Sequence, residues 1–243
     1  MKSPLDVGGN RTGADASPEL AKEMMEGATM SPVETGFDLT AMEAIRSLYS
    51  RGAEPFGTMP PPPSVKGKMK SGMQKLKGKS PAVFLDLIAD RLAFERTGTR
   101  LYEALLVKYD ASDAQPGGPT RDEILHIHDE ELEHFGLLME CMKTLGADPT
   151  AISPTADADA VASTGVMQLL SDPRSTLTEC LHAIHMVELV DNDAWEMLAS
   201  LADRLGHDSM AEQFRHALSQ ENDHLRMVRS WLQNTIEGQV GIS

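Results

Sequence analysis

The sequence predicts an all-α fold: an antiparallel four-helix bundle with a long crossover between its second and third helices, carried behind an N-terminal extension. Three observations predict it. From residue 81 onward apolar residues recur at alternating three- and four-residue steps, the signature of one helix face, and no segment shows the period-two alternation of a strand. Start and stop signals divide that region into four long segments. Each segment's apolar stripe is interrupted near its middle by ionisable residues.

The first bundle helix is expected over about 82–109, ending at the loop ASDAQPGGP, with a less regular inner series of Phe84, Ile88, Glu95, Tyr102 and Leu106. The second opens on the capping box Thr120-x-x-Glu123 and stops at Gly146. Its stripe is Ile124, Ile127, Glu131, His134, Leu138, Cys141 and Leu145. The third is expected to begin after Asp172, with Pro173 in its first turn where the missing N–H costs nothing, and to run to Gly206. Its inner face carries Leu177, Leu181, Ile184, Glu188, Asp191, Trp195 and Leu198. The fourth, capped by Asp208 or Ser209, reaches about residue 236 and presents Met210, Phe214, Ala217, Glu221, His224, Val228 and Trp231. The link of roughly 147–172 holds one short helical piece, TGVMQLL, and is long enough to cross the bundle, whereas the other two links are short and make antiparallel hairpins.

Residues 1–80 differ from the rest. Gly, Pro and Ser are frequent, Pro60 to Pro63 form a proline run, and only about 38–50 has helical periodicity. The domain reading is therefore an extension over 1–80, a bundle over 81–237 and a tail over 238–243. Six lysines and no acid lie between Lys66 and Lys79, which reads as a solvated linker or a contact for an anionic surface.

Composition excludes several classes of function. A net charge of -15 argues against a nucleic-acid partner, which requires a clustered basic surface. Two cysteines, Cys141 and Cys180, form no Cys-x-x-Cys pair, so neither a disulfide framework nor a thiolate metal site is encoded. No run approaches the roughly 18 apolar residues of a membrane span, and the N-terminus lacks a signal-peptide core. A cytoplasmic protein is expected.

Glu-x-x-His occurs four times: Glu123/His126, Glu131/His134, Glu179/His182 and Glu221/His224. Depth along the bundle separates them. At about 1.5 Å per residue, Glu188 lies roughly 27 Å before the last helix turn, and Glu221 and His224 roughly 20 to 24 Å after it. Glu95 and the Glu131/His134 pair match in the same way. The other two pairs fall near helix starts and are expected to cap or to face solvent. What remains is a doubled pattern, Glu95 with Glu131-x-x-His134 and Glu188 with Glu221-x-x-His224. Buried carboxylates and imidazoles converging at one depth need a compensating partner, and two divalent ions, bridged by carboxylates and completed by one imidazole each, supply it.

This doubled motif, over about residues 82–236, resembles the ferritin-like di-iron carboxylate superfamily, which includes ferritins, bacterioferritins, rubrerythrins and manganese catalases. The resemblance implies a ferritin-like bundle holding two iron ions, with manganese as the alternative. Glu131 and Glu221 would bridge, Glu95 and Glu188 would be terminal ligands, and His134 and His224 the imidazole ligands. Tyr102, one heptad beyond Glu95, resembles the site-proximal tyrosine of ferritins that can hydrogen-bond or donate an electron. The alternative is a core tyrosine. Glu130 and Gln220 stand where the family often has Asp beside the metal-bound histidines, and Asp191 and His185 lie one turn either side of Glu188, as an added ligand, an outer-shell bond or satisfied polar residues. Trp195 is expected to pack. Gly98, costing about 1 kcal/mol in a helix interior, is expected either to leave room for a small oxidant or to serve close packing.

No haem is expected, because Leu132 stands where bacterioferritins carry the haem-ligating Met. The function so implied is ferroxidase or peroxidase-like chemistry with O2 or H2O2 and an unidentified electron donor, and a homodimer is compatible with it. A di-manganese catalase, a di-iron oxygenase and a non-catalytic metal-sequestering protein are the alternatives left open.

Overall fold

Capping chemistry fixes several helix ends in the computed structural model, which describes residues 18–30, 40–54, 56, 81–113 and 116–241. Seven helices and no strand occur among the described residues: α1 Pro18–Met30, α2 Thr40–Gly52, α3 Pro81–Asp110, α4 Arg121–Leu145, α5 Pro154–Ser171, α6 Leu177–Leu205 and α7 Asp208–Val240. The chain divides into two compact units, Met1–Glu54 and Pro55–Ser243. The first unit carries α1, an unexpected helix with no buried residue, and α2, whose apolar Ile45, Leu48 and Tyr49 are exposed. The lysine-rich stretch between Lys66 and Lys79 and the proline run lie outside the described residues.

In the second unit α3 with α4 and α6 with α7 form antiparallel hairpins, and α5 crosses between them against α3 and α6. The reciprocal Thr120–Glu123 capping box starts α4, and Gly146, at φ 80°, ends it in the left-handed conformation that glycine adopts without strain. Three boundaries differ from expectation. Helix α6 starts at Leu177 rather than after Asp172, because Thr176 and Glu179 form a second capping box and Asp172 is engaged in closing a turn on Arg174. Neither Asp208 nor Ser209 caps α7; His207 holds the N-cap position without a side-chain cap bond, its ring stacked on Phe84 at 5.5 Å. That helix also runs four residues further, to Val240. The crossover is a full helix of 18 residues, with Pro154 at its start and Ser153 accepting from the Ala156 N–H.

Polar bonds pin α5 to α3. Asp86 accepts from both the N–H and the hydroxyl of Thr155, and the Ser153 hydroxyl donates to the Asp86 carbonyl.

The core is two apolar clusters separated along the bundle axis. One gathers Phe84, Ile88, Leu138, Trp195, Met210 and Phe214. The other gathers Leu101, Leu105, Ile127, Leu181, Val228 and Trp231. Leu105, not Leu106, takes the buried position on α3. Cys141 and Cys180 are free, buried, and held one in each cluster. No helix among the described residues is long and apolar enough to cross a membrane. Every inner stripe contributes apolar residues to both clusters and ionisable residues to the layer between them, which positions the site.

Candidate metal centre

Four helices bring their mid-length residues to one buried layer. Glu95 comes from α3, Glu131 and His134 from α4, Glu188 from α6, and Glu221 and His224 from α7, and all six are at most 2% exposed. Their donor atoms fall into two groups able to hold a metal ion, Glu95/His134/Glu221 and Glu131/Glu188/His224, each with its ligand atoms within 4.8 Å of one another. A third group of Glu95, Glu131, Asp191 and Glu221 overlaps both. Glu221 touches the two histidines with different oxygens, Oε1 lying 2.7 Å from His134 Nδ1 and Oε2 3.2 Å from His224 Nδ1. Glu131 Oε1 lies 3.7 Å from His224 Nδ1, and Glu95 Oε2 lies 3.8 Å from His134 Nδ1.

Several of these atoms are buried with no hydrogen-bond partner: both carboxylate oxygens of Glu95, Oε2 of Glu131 and Glu188, Oε1 of Glu221, and Nδ1 of His134. Even the 2.7 Å contact between His134 and Glu221 lacks hydrogen-bond geometry. Orphaned polar atoms in a core are costly, and their convergence in oxygen-rich sets with one imidazole each fits divalent cations such as iron or manganese. Protonation states tell the same story. Burial, and then the neighbouring acids, push Glu95, Glu131 and Glu188 well above the usual carboxylate range. Burial also acts to raise Glu221, but its contacts with His134 and His224 outweigh it and hold that carboxyl at about 2. His224, which burial alone would lower, is held at about 9 by Glu221. Without metal the layer thus retains protons where cations would sit, and binding would release them.

The outer nitrogens of the two histidines are tied by one chain of hydrogen bonds. His224 Nε2 donates to Glu130 Oε2 (2.8 Å), Gln220 Nε2 donates to Glu130 Oε1 (2.6 Å), and Gln220 Oε1 accepts from His134 Nε2 (3.1 Å). Each partner comes from the other half of the motif. Both rings thereby carry a proton on Nε2 and turn Nδ1 toward the carboxylates.

Tyr102 is buried and its hydroxyl donates to Glu188 Oε1 at 2.5 Å. Burial and the adjacent carboxylate push that phenol well above its ordinary value, so it stays protonated. Asn192 donates its side-chain amide to the Glu188 and Glu221 carbonyls and clamps α6 to α7 beside the site. Trp195 packs edge-on to His134, ring centroids 5.4 Å apart.

Of the remaining sequence candidates, Asp191 is buried and paired with Arg91, and His185 joins none of the three groups. Glu123 and Glu179 are spent in capping boxes. His126 is 63% exposed yet comes within 3.5 Å of Glu130 Oε2. Arg91 was not anticipated. Its guanidinium is 2% exposed, lies 2.5 Å from Asp191 and 3.9 Å from Glu95, and covers the Phe94 ring at 3.8 Å. A recess of about 390 Å³ between α4 and α7 reaches the layer from outside, lined by Glu133, His134, Glu212, His216 and Gln220 among others.

A model of the ferritin-like domain family matches residues 120–237, a span that includes Glu131, His134, Glu188, Glu221 and His224 and begins after Glu95 and Tyr102. Comparison with curated proteins and with solved structures yields no match.

Proposed function

We propose, from the match of residues 120–237 to the ferritin-like domain family, that the protein holds two metal ions, iron in the first place, and acts as a ferroxidase or peroxidase-like oxidoreductase on O2 or H2O2. The observation that carries this reading is the pair of buried Glu/Glu/His groups whose donor atoms lack partners. In this reading Glu131 and Glu221 would be shared by the two ions, Glu95 and Glu188 would be terminal ligands, and His134 and His224 would complete the two positions.

Charge supports that assignment. Four ionised glutamates match two divalent cations, while Asp191 is already matched by Arg91 at 2.5 Å. Asp191 therefore acts beside the ligands, orienting Arg91, rather than as a seventh ligand. Bound iron would supply the electron transfer to the oxidant. The chain's own residues do the rest. The apolar clusters above and below exclude water, the Glu130–Gln220 chain fixes both imidazoles, and the Tyr102 hydroxyl holds Glu188 and offers a buried proton at its oxygen. A protein-borne electron from Tyr102 belongs to the same proposal.

The test is anaerobic loading with Fe(II) followed by exposure to air, monitored by O2 consumption and near-visible absorption. The reading expects two iron ions per chain, O2 uptake and a new absorption band. Binding without O2 or H2O2 consumption would reduce it to metal sequestration, and rapid H2O2 disproportionation with manganese but not iron would replace it with a catalase.

A further inference from the structure

Glu130 and Gln220 hold equivalent places in the two halves of the motif, each directly before the glutamate of a Glu-x-x-His pair, yet they differ by a full charge. Two donors converge on Glu130, the Gln220 amide at 2.6 Å and His224 Nε2 at 2.8 Å, as befits a carboxylate that can only accept. Gln220 must then turn its amide nitrogen to Glu130 and its oxygen to His134. Both imidazoles are oriented alike, but only that of His224 is backed by a negative charge. An imidazole whose far N–H faces a carboxylate is a stronger donor at its other nitrogen than one facing a neutral amide.

Neighbouring groups leave this difference standing. Arg91 is closest to the Glu95 side, but Asp191 cancels its charge within 2.5 Å. Tyr102, on the Glu188 side, is neutral. His126 approaches Glu130 only at 3.5 Å and is 63% exposed, so solvent screens it.

We propose that the Glu130–Gln220 pair makes the two metal positions unequal, the position of Glu131, Glu188 and His224 taking a divalent cation before the position of Glu95, His134 and Glu221. This rests on the two-metal reading and adds an order of filling to it. The positions differ in affinity by about 10- to 100-fold, the usual effect of an outer-shell partner.

The experiment is anaerobic Co(II) titration of the full chain, followed by calorimetry and by the visible absorption of the bound ion. Wild type should bind two ions in two resolved steps, His224→Ala losing the tight step and His134→Ala the weak one. Glu130→Gln should weaken the tight step about 10- to 100-fold and leave the weak step in place. Gln220→Glu should bring the two steps together, because two carboxyls sharing one proton make the halves alike. Two equal steps in wild type, or an unchanged tight step in Glu130→Gln with native circular dichroism, overturns the order of filling and leaves the two-metal reading intact. Fewer than two ions on wild type overturns both. If Glu130→Gln does not fold, Gln220→Glu decides, and steps that stay apart in it overturn the proposal.

Discussion

Gly98 carries the carboxylate of Glu131: a Cβ at that position would stand 2.2 Å from Glu131 Oε2 and 3.0 Å from its Cδ. The glycine's place in the middle of α3 is therefore explained by close approach of a side chain from α4. Gly98→Ala would ordinarily gain about 1 kcal/mol of helix stability. Here the methyl group must displace the tip of a flexible side chain, which the fold tolerates but the metal layer does not. The expected outcome is a melting temperature close to wild type with at least a tenfold loss of metal affinity in an anaerobic titration. Wild-type affinity for two ions would show that the glycine has no part in placing Glu131.

Arg91 and Asp191 form a buried ion pair that closes the charge balance of the layer. Burial holds Asp191 at about 7 even beside Arg91, so Arg91→Met lets it take up a proton, whereas Asp191→Leu strands the Arg91 cation in the core and should cost about 3–5 kcal/mol. The double variant Arg91→Met/Asp191→Leu should recover most of that loss, since replacing both partners by apolar groups removes the uncompensated charge. Denaturant unfolding of the two single variants and the double variant measures the coupling. Additive losses would mean that the pair is not the unit that matters.

The sequence carried more of this site than of its surroundings. Glu95, Glu131, His134, Glu188, Glu221 and His224 could be placed in one layer because helix rise converts residue number into depth, and helices joined by short links run antiparallel. The same series on α3 carries two more inner residues, Gly98, expected to leave room or to pack closely, and Arg91, which apolar periodicity does not signal. Ile88 to Glu95 and Glu95 to Tyr102 are steps of seven, and the positions left vacant between them hold Arg91 and Gly98, one the buried cation and the other the gap beside Glu131. An arginine or a glycine on an inner face does not register as apolar periodicity, so the series looked irregular. The crossing of Glu130 to His224 and Gln220 to His134 was not legible, because it depends on how α4 and α7 meet across the bundle. Helix α6 began later than expected because Pro173 is an equally good loop residue, and the Thr176–Glu179 box is the stronger start signal.

Metal and fold stability are coupled with opposite signs in the two states. Without metal, Glu131 is pushed well above the usual carboxylate range by burial and by Glu221, Glu95, Asp191 and Glu188. Glu131→Gln should therefore leave the metal-free protein as stable as wild type or more so. The same change should abolish most of the stabilisation that metal confers, which at a hundredfold excess over Kd amounts to about 2.7 kcal/mol per site. Paired melts with Mn(II) and with chelator, under nitrogen, read both effects. A variant equally destabilised in both conditions would assign Glu131 a packing role alone.

Asp90 gives the fold a pH dependence separate from the metal layer. Its side chain on α3 is 9% exposed, Oδ1 has no partner, and burial together with Asp159 and Asp86 raises it to about 7 against the opposing pull of Arg91. The folded state thus holds a proton between about pH 4 and pH 7 that the unfolded chain has given up, so stability falls as pH rises through that window. The loss is on the order of 4 kcal/mol before solvent screening if Asp90 acts alone. Asp90→Asn keeps the shape, removes the titration and should be the more stable protein above about pH 7, with the two converging near pH 4. The glutamates of the metal layer titrate in the same direction in both proteins. The informative quantity is therefore the difference between the two curves of unfolding free energy against pH, measured on metal-loaded samples. A flat difference would mean that Asp90 finds a partner or solvent and that the α3–α5 contact is insensitive to its charge.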